Sequence, residues 1–243
     1  MIQRLVIINA LVYLGLKLLW LVAPAAGVDF DAAVAGLLLP SDFAGVAGRP
    51  WTVLTYMFTQ CDFRHLLVNM LWLGGFGTLL GADVGARRVL ALYMAGGVVA
   101  AAMFLLCSLT PFASGEPLAG ASGPVIALTV AAGIMSPGRM VKLAYMGELE
   151  LRRIVPLALL AFFFCSIPEA MAHAGGLLSG VAAALWWRHL AKARPSGAEP
   201  APTPVADEYA ALVAKANAGG YEALTPAEQR HLYELTISRS RHN

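Results

Sequence analysis

Six apolar stretches separated by shorter polar segments dominate the hydropathy pattern of the chain. They cover residues 5–23, 64–82, 89–107, 121–136, 154–168 and 170–187. Most are about as long as a membrane-spanning helix, and in lipid only helices and closed barrels satisfy every backbone polar group. Because no period-2 alternation favours a barrel, the pattern predicts an all-α membrane protein with six transmembrane helices.

Composition supports this interpretation. The 243 residues are 58% hydrophobic and 13% charged, with a mean hydropathy of +0.67. A soluble domain of this length would carry about 25% charged residues. The first stretch is long enough to span and further spans follow, so we do not interpret it as a cleavable signal. We expect a lipid bilayer as the environment, with no nucleic-acid partner and no cofactor.

Lysine and arginine lie mostly on one side of the predicted bundle, ten residues against two. The ten are Arg4, Arg87, Arg88, Arg139, Lys142, Arg152, Arg153, Arg188, Lys192 and Arg194, and the two are Arg49 and Arg64. Positive residues are retained preferentially on the cytoplasmic side, so both termini are predicted to be cytoplasmic.

The pattern after the last span predicts a separate appendage. Residues 1–190 form the predicted membrane domain, 191–204 a Pro/Ala-rich linker, and 205–243 a short cytoplasmic helical tail. Within the tail, Thr225 and Glu228 have the spacing of a capping box that opens a helix. No chemistry is indicated there.

Three polar residues interrupt the apolar stretches. His65, Ser122 and His173 lie near the starts of the second, fourth and sixth spans, which all enter from the outer side. Polar groups at membrane depth are costly and mark functional sites. A serine with two histidines suits nucleophilic catalysis, so we expect these side chains to meet near the outer face.

The fourth helix is predicted to be short. The run Ser122–Met135 would be about 21 Å long against a hydrocarbon core of about 30 Å. The preceding residues 117–121 would then be irregular backbone at membrane depth, which is tolerated only inside protein or against a water-filled cavity. We expect such a cavity, and we expect the long connection 24–63 to pack against the lipid.

Two spacings indicate how helices meet. Gly176 and Gly180 form a Gly-xxx-Gly face that lets a neighbouring backbone approach, and His173 projects from that same face. His65 and Asn69 are four residues apart and share a face of the second helix. Each pattern alone has an ordinary structural interpretation, namely helix packing or an interhelical polar clamp.

Taken together, the motifs resemble the rhomboid family of intramembrane serine proteases. The matching pieces are His65-xxx-Asn69, Gly120-Ala121-Ser122-Gly123, and Ala172-His173-xx-Gly176-xxx-Gly180, supported by 51–58 and 74–81. The resemblance covers about residues 50–190. It implies a six-helix rhomboid-like bundle that cuts transmembrane protein substrates in a bacterial-type cytoplasmic membrane.

The resemblance also implies residue roles. Ser122 and His173 would be a catalytic dyad, and His65, Asn69 and the backbone N–H of Ser122 would bind the oxyanion. The supporting glycines would be Gly120, Gly123, Gly176 and Gly180. The chain departs from the family pattern at Gln60, where a histidine is frequent, and at Ile126, where an aromatic residue often stacks on the catalytic imidazole. We expect Ile126 to support that ring by packing.

Two other functions are compatible with parts of this pattern. A non-catalytic rhomboid-like binder or chaperone would tend to have lost the Ser122 and His173 pair. A transporter with a histidine proton relay would need acids within the spans, yet Asp62, Glu116 and Glu169 lie at their edges.

The cysteines are isolated and lack metal-ligand spacing, so they are interpreted as small packing residues and no metal is expected. They are Cys61, Cys107 and Cys165.

Overall fold

The computed structural model describes residues 1–143, 147–162, 165–193 and 204–240. Its helices are α1 (Ile2–Ala26), α2 (Phe30–Ala35), α3 (Phe43–Gly48), α4 (Thr52–Thr55), α5 (Phe63–Val84), α6 (Ala86–Cys107), α7 (Ser122–Met135), α8 (Leu151–Phe162), α9 (Ile167–Ala193), α10 (Pro204–Gly219) and α11 (Pro226–Ser240). Short 3₁₀ turns cover Tyr56–Phe58 and Tyr221–Ala223, and two strands are β1 (Met140–Leu143) and β2 (Gly147–Glu150). The chain divides into two compact units, Met1–Ala191 and Lys192–Asn243.

The first unit has the character of a membrane protein. Within the described residues, three helices are long and apolar enough to cross a membrane, namely α1, α5 and α6, and α7 is a shorter apolar helix. On α1, Leu11, Leu14, Leu18 and Leu21 are each at least 60% exposed. Such a continuous apolar surface is suited to lipid. The count of six spans remains a prediction.

Helix α7 lies at the centre of this unit. Every residue from Ser122 to Ala132 is buried. The helix packs against α5, α6 and α8, and the glycines of α9 approach its backbone. At 14 residues it has the short length that the sequence predicted. A helix enclosed in this way holds its first residue in a fixed position relative to its neighbours.

The described residues are mostly helical, as predicted, and include one hairpin that the sequence did not predict. Strands β1 and β2 pair antiparallel, with Val141 opposite Leu149 and Lys142 opposite Glu148. Charged and apolar residues alternate in β2, whereas β1 begins with two apolar residues, and over runs of four residues a period-2 signal is easily missed. The Arg139 guanidinium, just before β1, pairs with Asp83 at the end of α5.

The boundary between the fifth and sixth segments also differs from the prediction. Helix α8 ends at Phe162 rather than near residue 168, residues 163–164 lie outside the described ranges, and α9 already begins at Ile167. The reason is a capping box at the start of α9. The Ser166 hydroxyl accepts from the Glu169 N–H at 3.4 Å, and the Glu169 carboxylate accepts from the Ser166 N–H at 3.2 Å.

The second unit is a pair of helices. The predicted capping box is present, since Glu228 accepts from the Thr225 N–H at 2.7 Å and Thr225 Oγ1 accepts from the Glu228 N–H at 3.3 Å. An ion pair of 2.7 Å joins Glu228 to Lys215 on α10, and these partners lower the pKa of Glu228 to about 2. The predicted linker, 191–204, overlaps the end of α9 at Ala193 and the start of α10 at Pro204. The rest of the predicted linker, 194–203, lies outside the described residues.

Candidate active site

Helices α7 and α9 touch through their backbones. A Cβ added at Gly176 would collide with the carbonyl oxygen of Gly123, and one at Gly180 would collide with that of Ala127. Any larger residue at these two positions would push the helices apart. The contact expected from the Gly-xxx-Gly spacing is therefore present, and it brings the start of α7 against the first turns of α9.

At this contact the Ser122 hydroxyl meets the His173 imidazole. Ser122 Oγ and His173 Nε2 are 2.8 Å apart, within hydrogen-bonding distance. Both residues are buried, at 6% and 7% exposure. A neutral imidazole that accepts at Nε2 carries its proton on Nδ1, and Cys165 Sγ lies 3.7 Å from that atom. The geometry suits removal of the hydroxyl proton by His173.

The segment leading into α7 is irregular but held by backbone hydrogen bonds. Leu39 and Leu118 form an isolated antiparallel bridge, and the Gly120 N–H donates to the Tyr56 carbonyl at 3.0 Å. Gly120 has φ +111°, a conformation that side chains rarely adopt. A Cβ there would also lie 2.9 Å from Cε1 of His65. The sequence predicted this irregular segment but not its attachment to the connection before α5.

The other side of the site is built from the start of α5. The Asp62 carboxylate accepts from the His65 N–H at 3.0 Å and caps the helix, and this backbone donor lowers the pKa of Asp62. Asn69 lies one turn further along and is fully buried. Its Nδ2 donates to Gln60 Oε1 at 3.3 Å. Gln60 therefore contacts a predicted site residue directly.

A cavity of about 700 Å³ connects these groups. Its lining residues are Asp62, Arg64, His65, Val68, Leu118, Ala119, Ser122, Cys165, Glu169 and His173. Polar and charged side chains predominate, so the cavity can hold water. Three of the predicted site residues, His65, Ser122 and His173, thus face one space, whereas Asn69 lies behind its wall.

The interpretation of the cysteines as packing residues is correct only for Cys107, which is buried. Cys61 and Cys165 are exposed, and Cys165 lines the cavity beside His173. No local pattern indicates this position, because it depends on how the start of α9 packs against the cavity. Ile126 is fully buried in α7, and its predicted support of the His173 ring remains a prediction.

Two observations bear on other chemistries. Among the described residues, no group of three or more His, Cys, Asp or Glu side chains could hold a metal ion. The buried polar residues of the described part are Asn9, Thr52, Thr59, Gln60, Asn69, Ser122, Thr129 and His173. None is an acid, so the described interior lacks the carboxylates expected of a proton-relay transporter.

The match of the chain to a family model comes from the same region as the site. A family model described as "Rhomboid domain" matches residues 47–189, which is more than half of the chain and includes the whole cavity lining. No curated protein matches the chain.

Proposed function

The chain belongs to the rhomboid family, and from this premise we propose that it is an intramembrane serine endopeptidase. It hydrolyses peptide bonds in or near transmembrane segments of membrane proteins through a dyad of Ser122 and His173. The observation that carries the proposal is the 2.8 Å contact between Ser122 Oγ and His173 Nε2 at the wall of a polar cavity.

The dyad works in two stages. His173 Nε2 takes the hydroxyl proton while Ser122 Oγ attacks the scissile carbonyl carbon, and the tetrahedral intermediate forms. The imidazolium gives that proton to the departing amine as the C–N bond breaks, leaving an acyl-enzyme. A water from the cavity then attacks the ester with His173 again as base, and the proton returns to Ser122 Oγ as the acid product leaves.

The negative oxygen of each intermediate requires hydrogen-bond donors. Ser122 is the first residue of α7, so its backbone N–H has no acceptor four residues earlier within the helix. His65 faces the same cavity, and Asn69 supplies an amide behind it. In other serine proteases the loss of one such donor raises the barrier by about 2.7–4 kcal/mol. We assign the oxyanion to these three groups.

For substrate access we propose the side of α8, the described helix that precedes Cys165 of the cavity lining in the sequence. Helix α8 has 12 residues, about 18 Å, which is well below the hydrocarbon thickness of about 30 Å. We propose that a locally unwound substrate segment enters beside α8, with both termini of the enzyme in the cytoplasm of a bacterial-type cell. The apolar surface of α1 and the position of the positive charges support this arrangement in the bilayer.

A fluorophosphonate probe tests the proposal, since it labels an activated serine. We expect labelling of the wild type in lipid, none in Ser122→Ala, and cleavage of a transmembrane reporter by the wild type alone. Ser108→Ala is the matched control, because the Ser108 hydroxyl donates to the Leu105 carbonyl, away from the cavity. Folded wild type that neither labels nor cleaves would contradict the proposal and favour the non-catalytic binder.

A further inference from the structure

A chain of buried side-chain amides runs from α1 to Asn69. Gln60 Nε2 donates to Asn9 Oδ1 at 3.3 Å, and Asn69 Nδ2 donates to Gln60 Oε1 at 3.3 Å. All three side chains are at most 1% exposed. Tyr93 closes the far end, where its hydroxyl lies 3.4 Å from Asn9 Nδ2. Three amides from three separate segments thus form one continuous series.

Backbone carbonyls fix the direction of this series. The Leu5 carbonyl can only accept, so Asn9 presents Nδ2 to it at 3.0 Å and turns Oδ1 toward Gln60. The Tyr93 hydroxyl donates to the Met57 carbonyl at 3.2 Å, so it too can only accept from Asn9. Gln60 must then give Nε2 to Asn9 and Oε1 to the next amide. Reversing any one amide would place donor against donor or acceptor against acceptor.

The consequence falls on Asn69. Its nitrogen faces Gln60 Oε1. That oxygen lies 3.5 Å from the position that a Cβ on Gly120 would occupy, and Gly120 is two residues before Ser122. An amide nitrogen has two hydrogens, so one N–H remains after the bond to Gln60. Asn69 Oδ1, by contrast, is buried without a hydrogen-bond partner in the part of the chain that the structure describes. A buried acceptor without a partner lowers the free energy of unfolding. The Asn69 amide keeps this orientation nevertheless, which indicates that the position of its nitrogen is the one that matters.

We propose that Asn9 and Gln60 are positioning residues of the active site, which act through Asn69 by holding its carboxamide with the nitrogen available to the oxyanion. The inference rests on the proposed function. It extends the functional unit beyond the matched family region, because Asn9 lies in α1 whereas that region begins at residue 47. Gln60 is then the link between α1 and the oxyanion side of the site.

The competing interpretation is a structural clamp that joins α1 to α5 without affecting chemistry. The two differ in how mutations combine. A residue that acts only through Asn69 loses its effect once Asn69 is removed, whereas a clamp weakens the protein by the same factor in either background.

The test is a double-mutant cycle on a transmembrane reporter in liposomes. Asn9→Leu breaks the link to Gln60, and Gln60→Met breaks both this link and the link to Asn69, each with a side chain of similar size. Each is measured alone and with Asn69→Ala, for kcat, KM and thermal unfolding. Thr129→Val is the matched control. Thr129 is fully buried, and in the part of the chain that the structure describes its hydroxyl donates to the Val125 carbonyl of its own helix, away from the amide series.

We expect each single variant to lower kcat by about tenfold or more with KM unchanged, since loss of a whole oxyanion donor costs roughly 10²–10³ in kcat. In the Asn69→Ala background the same changes should lower kcat less than about twofold. Thr129→Val should keep kcat. Unchanged kcat in folded Asn9→Leu and Gln60→Met, or equal losses in both backgrounds, would overturn the inference alone. Absence of Ser122-dependent cleavage by the wild type would overturn the proposed function as well.

Discussion

The α7–α9 wall of the cavity holds Ser122 and His173 by direct backbone contact. On the α5 wall, the Asp62 carboxylate accepts from the backbone N–H of His65, and the Gln60 side chain accepts from Asn69. On the first wall, Gly176 and Gly180 leave no room for a methyl group. On the second wall, the position of the amide depends on residues as distant in sequence as Asn9.

The difference reflects what each wall must control. Proton transfer between a hydroxyl and an imidazole requires a short, fixed distance, which close-packed backbones provide. An oxyanion donor must also present the correct atom, and the two ends of a carboxamide have nearly the same shape. Packing alone cannot distinguish them, but a directed series of hydrogen bonds can. The first wall should therefore be sensitive to volume and the second to the loss of donors and acceptors.

The strongest test of this contrast is Gly176→Ala. The added methyl group overlaps the Gly123 carbonyl, so α9 must move away from α7. Overpacking of this kind destabilises by about 1–3 kcal/mol, and a shift of about 1 Å between reacting groups lowers kcat about 100-fold. Reporter cleavage and thermal unfolding in detergent measure both effects.

Gly74→Ala is the control, because an added Cβ there meets nothing within 4 Å. It should leave kcat unchanged. Wild-type turnover by Gly176→Ala would mean that the α7–α9 contact does not set the distance between Ser122 and His173.

Gly120→Ala should lower kcat less than Gly176→Ala does. Gly120 lies where the two walls meet, just before α7 and next to the His65 ring. It combines a φ of +111° with a methyl group 2.9 Å from the His65 ring. Strain of this kind costs about 1–3 kcal/mol, and displacement of His65 should lower kcat by about tenfold. Gly115→Ala provides the comparison, since Gly115 has φ +75° but open space around its Cβ position. If both variants lose turnover equally, backbone strain rather than the contact with His65 is responsible.

The first wall could be predicted from the sequence because its signals are local. The Gly176 and Gly180 spacing, with His173 on the same face, is visible within eight residues, and the shortness of α7 follows from one apolar run. The capping box at Ser166 and Glu169 was equally local, so the start of α9 could have been located by the same reasoning.

The second wall could be predicted only in part. His65 and Asn69 share a helix face, but Asn9 is an isolated amide within the apolar run 5–23, 51 positions away from Gln60 along the chain. Its role depends on how α1 packs beside α5, which no local pattern specifies. In the sequence, Gln60 stands out only as a departure from the pattern of the resembled family. The pattern of β1 and β2 is likewise too short to identify before the strands are seen to pair.

Tyr56→Phe tests a residue that is hydrogen-bonded to the segment before α7 and to α6. The Tyr56 carbonyl accepts from Gly120, and its hydroxyl donates to the Gly97 carbonyl of α6 at 2.7 Å. Removal of the hydroxyl leaves a buried carbonyl without this donor, which should lower the free energy of unfolding by about 1–3 kcal/mol. The backbone bond to Gly120 remains, so kcat should change by less than about threefold. A large loss of kcat with little loss of stability would instead give the Tyr56 hydroxyl a role in the site.

Asp62→Ala is expected to have the smallest effect and a characteristic pH dependence. The His65 N–H holds the pKa of Asp62 below its ordinary value of 3.8, so the charged carboxylate stabilises the start of α5. A lowered folded pKa means that this contribution is present above pH 3.8 and is lost as the pH falls through the lowered value. The wild type should therefore unfold at a higher temperature than Asp62→Ala at neutral pH, and the difference should shrink below pH 3.8.

Asp29→Ala removes the corresponding cap of α2 and should leave turnover unchanged, whereas Asp62→Ala should lower turnover slightly by loosening His65. If the difference in unfolding temperature grew toward acid pH, the folded protein would be more stable with Asp62 protonated. The start of α5 would then not depend on the negative charge of Asp62.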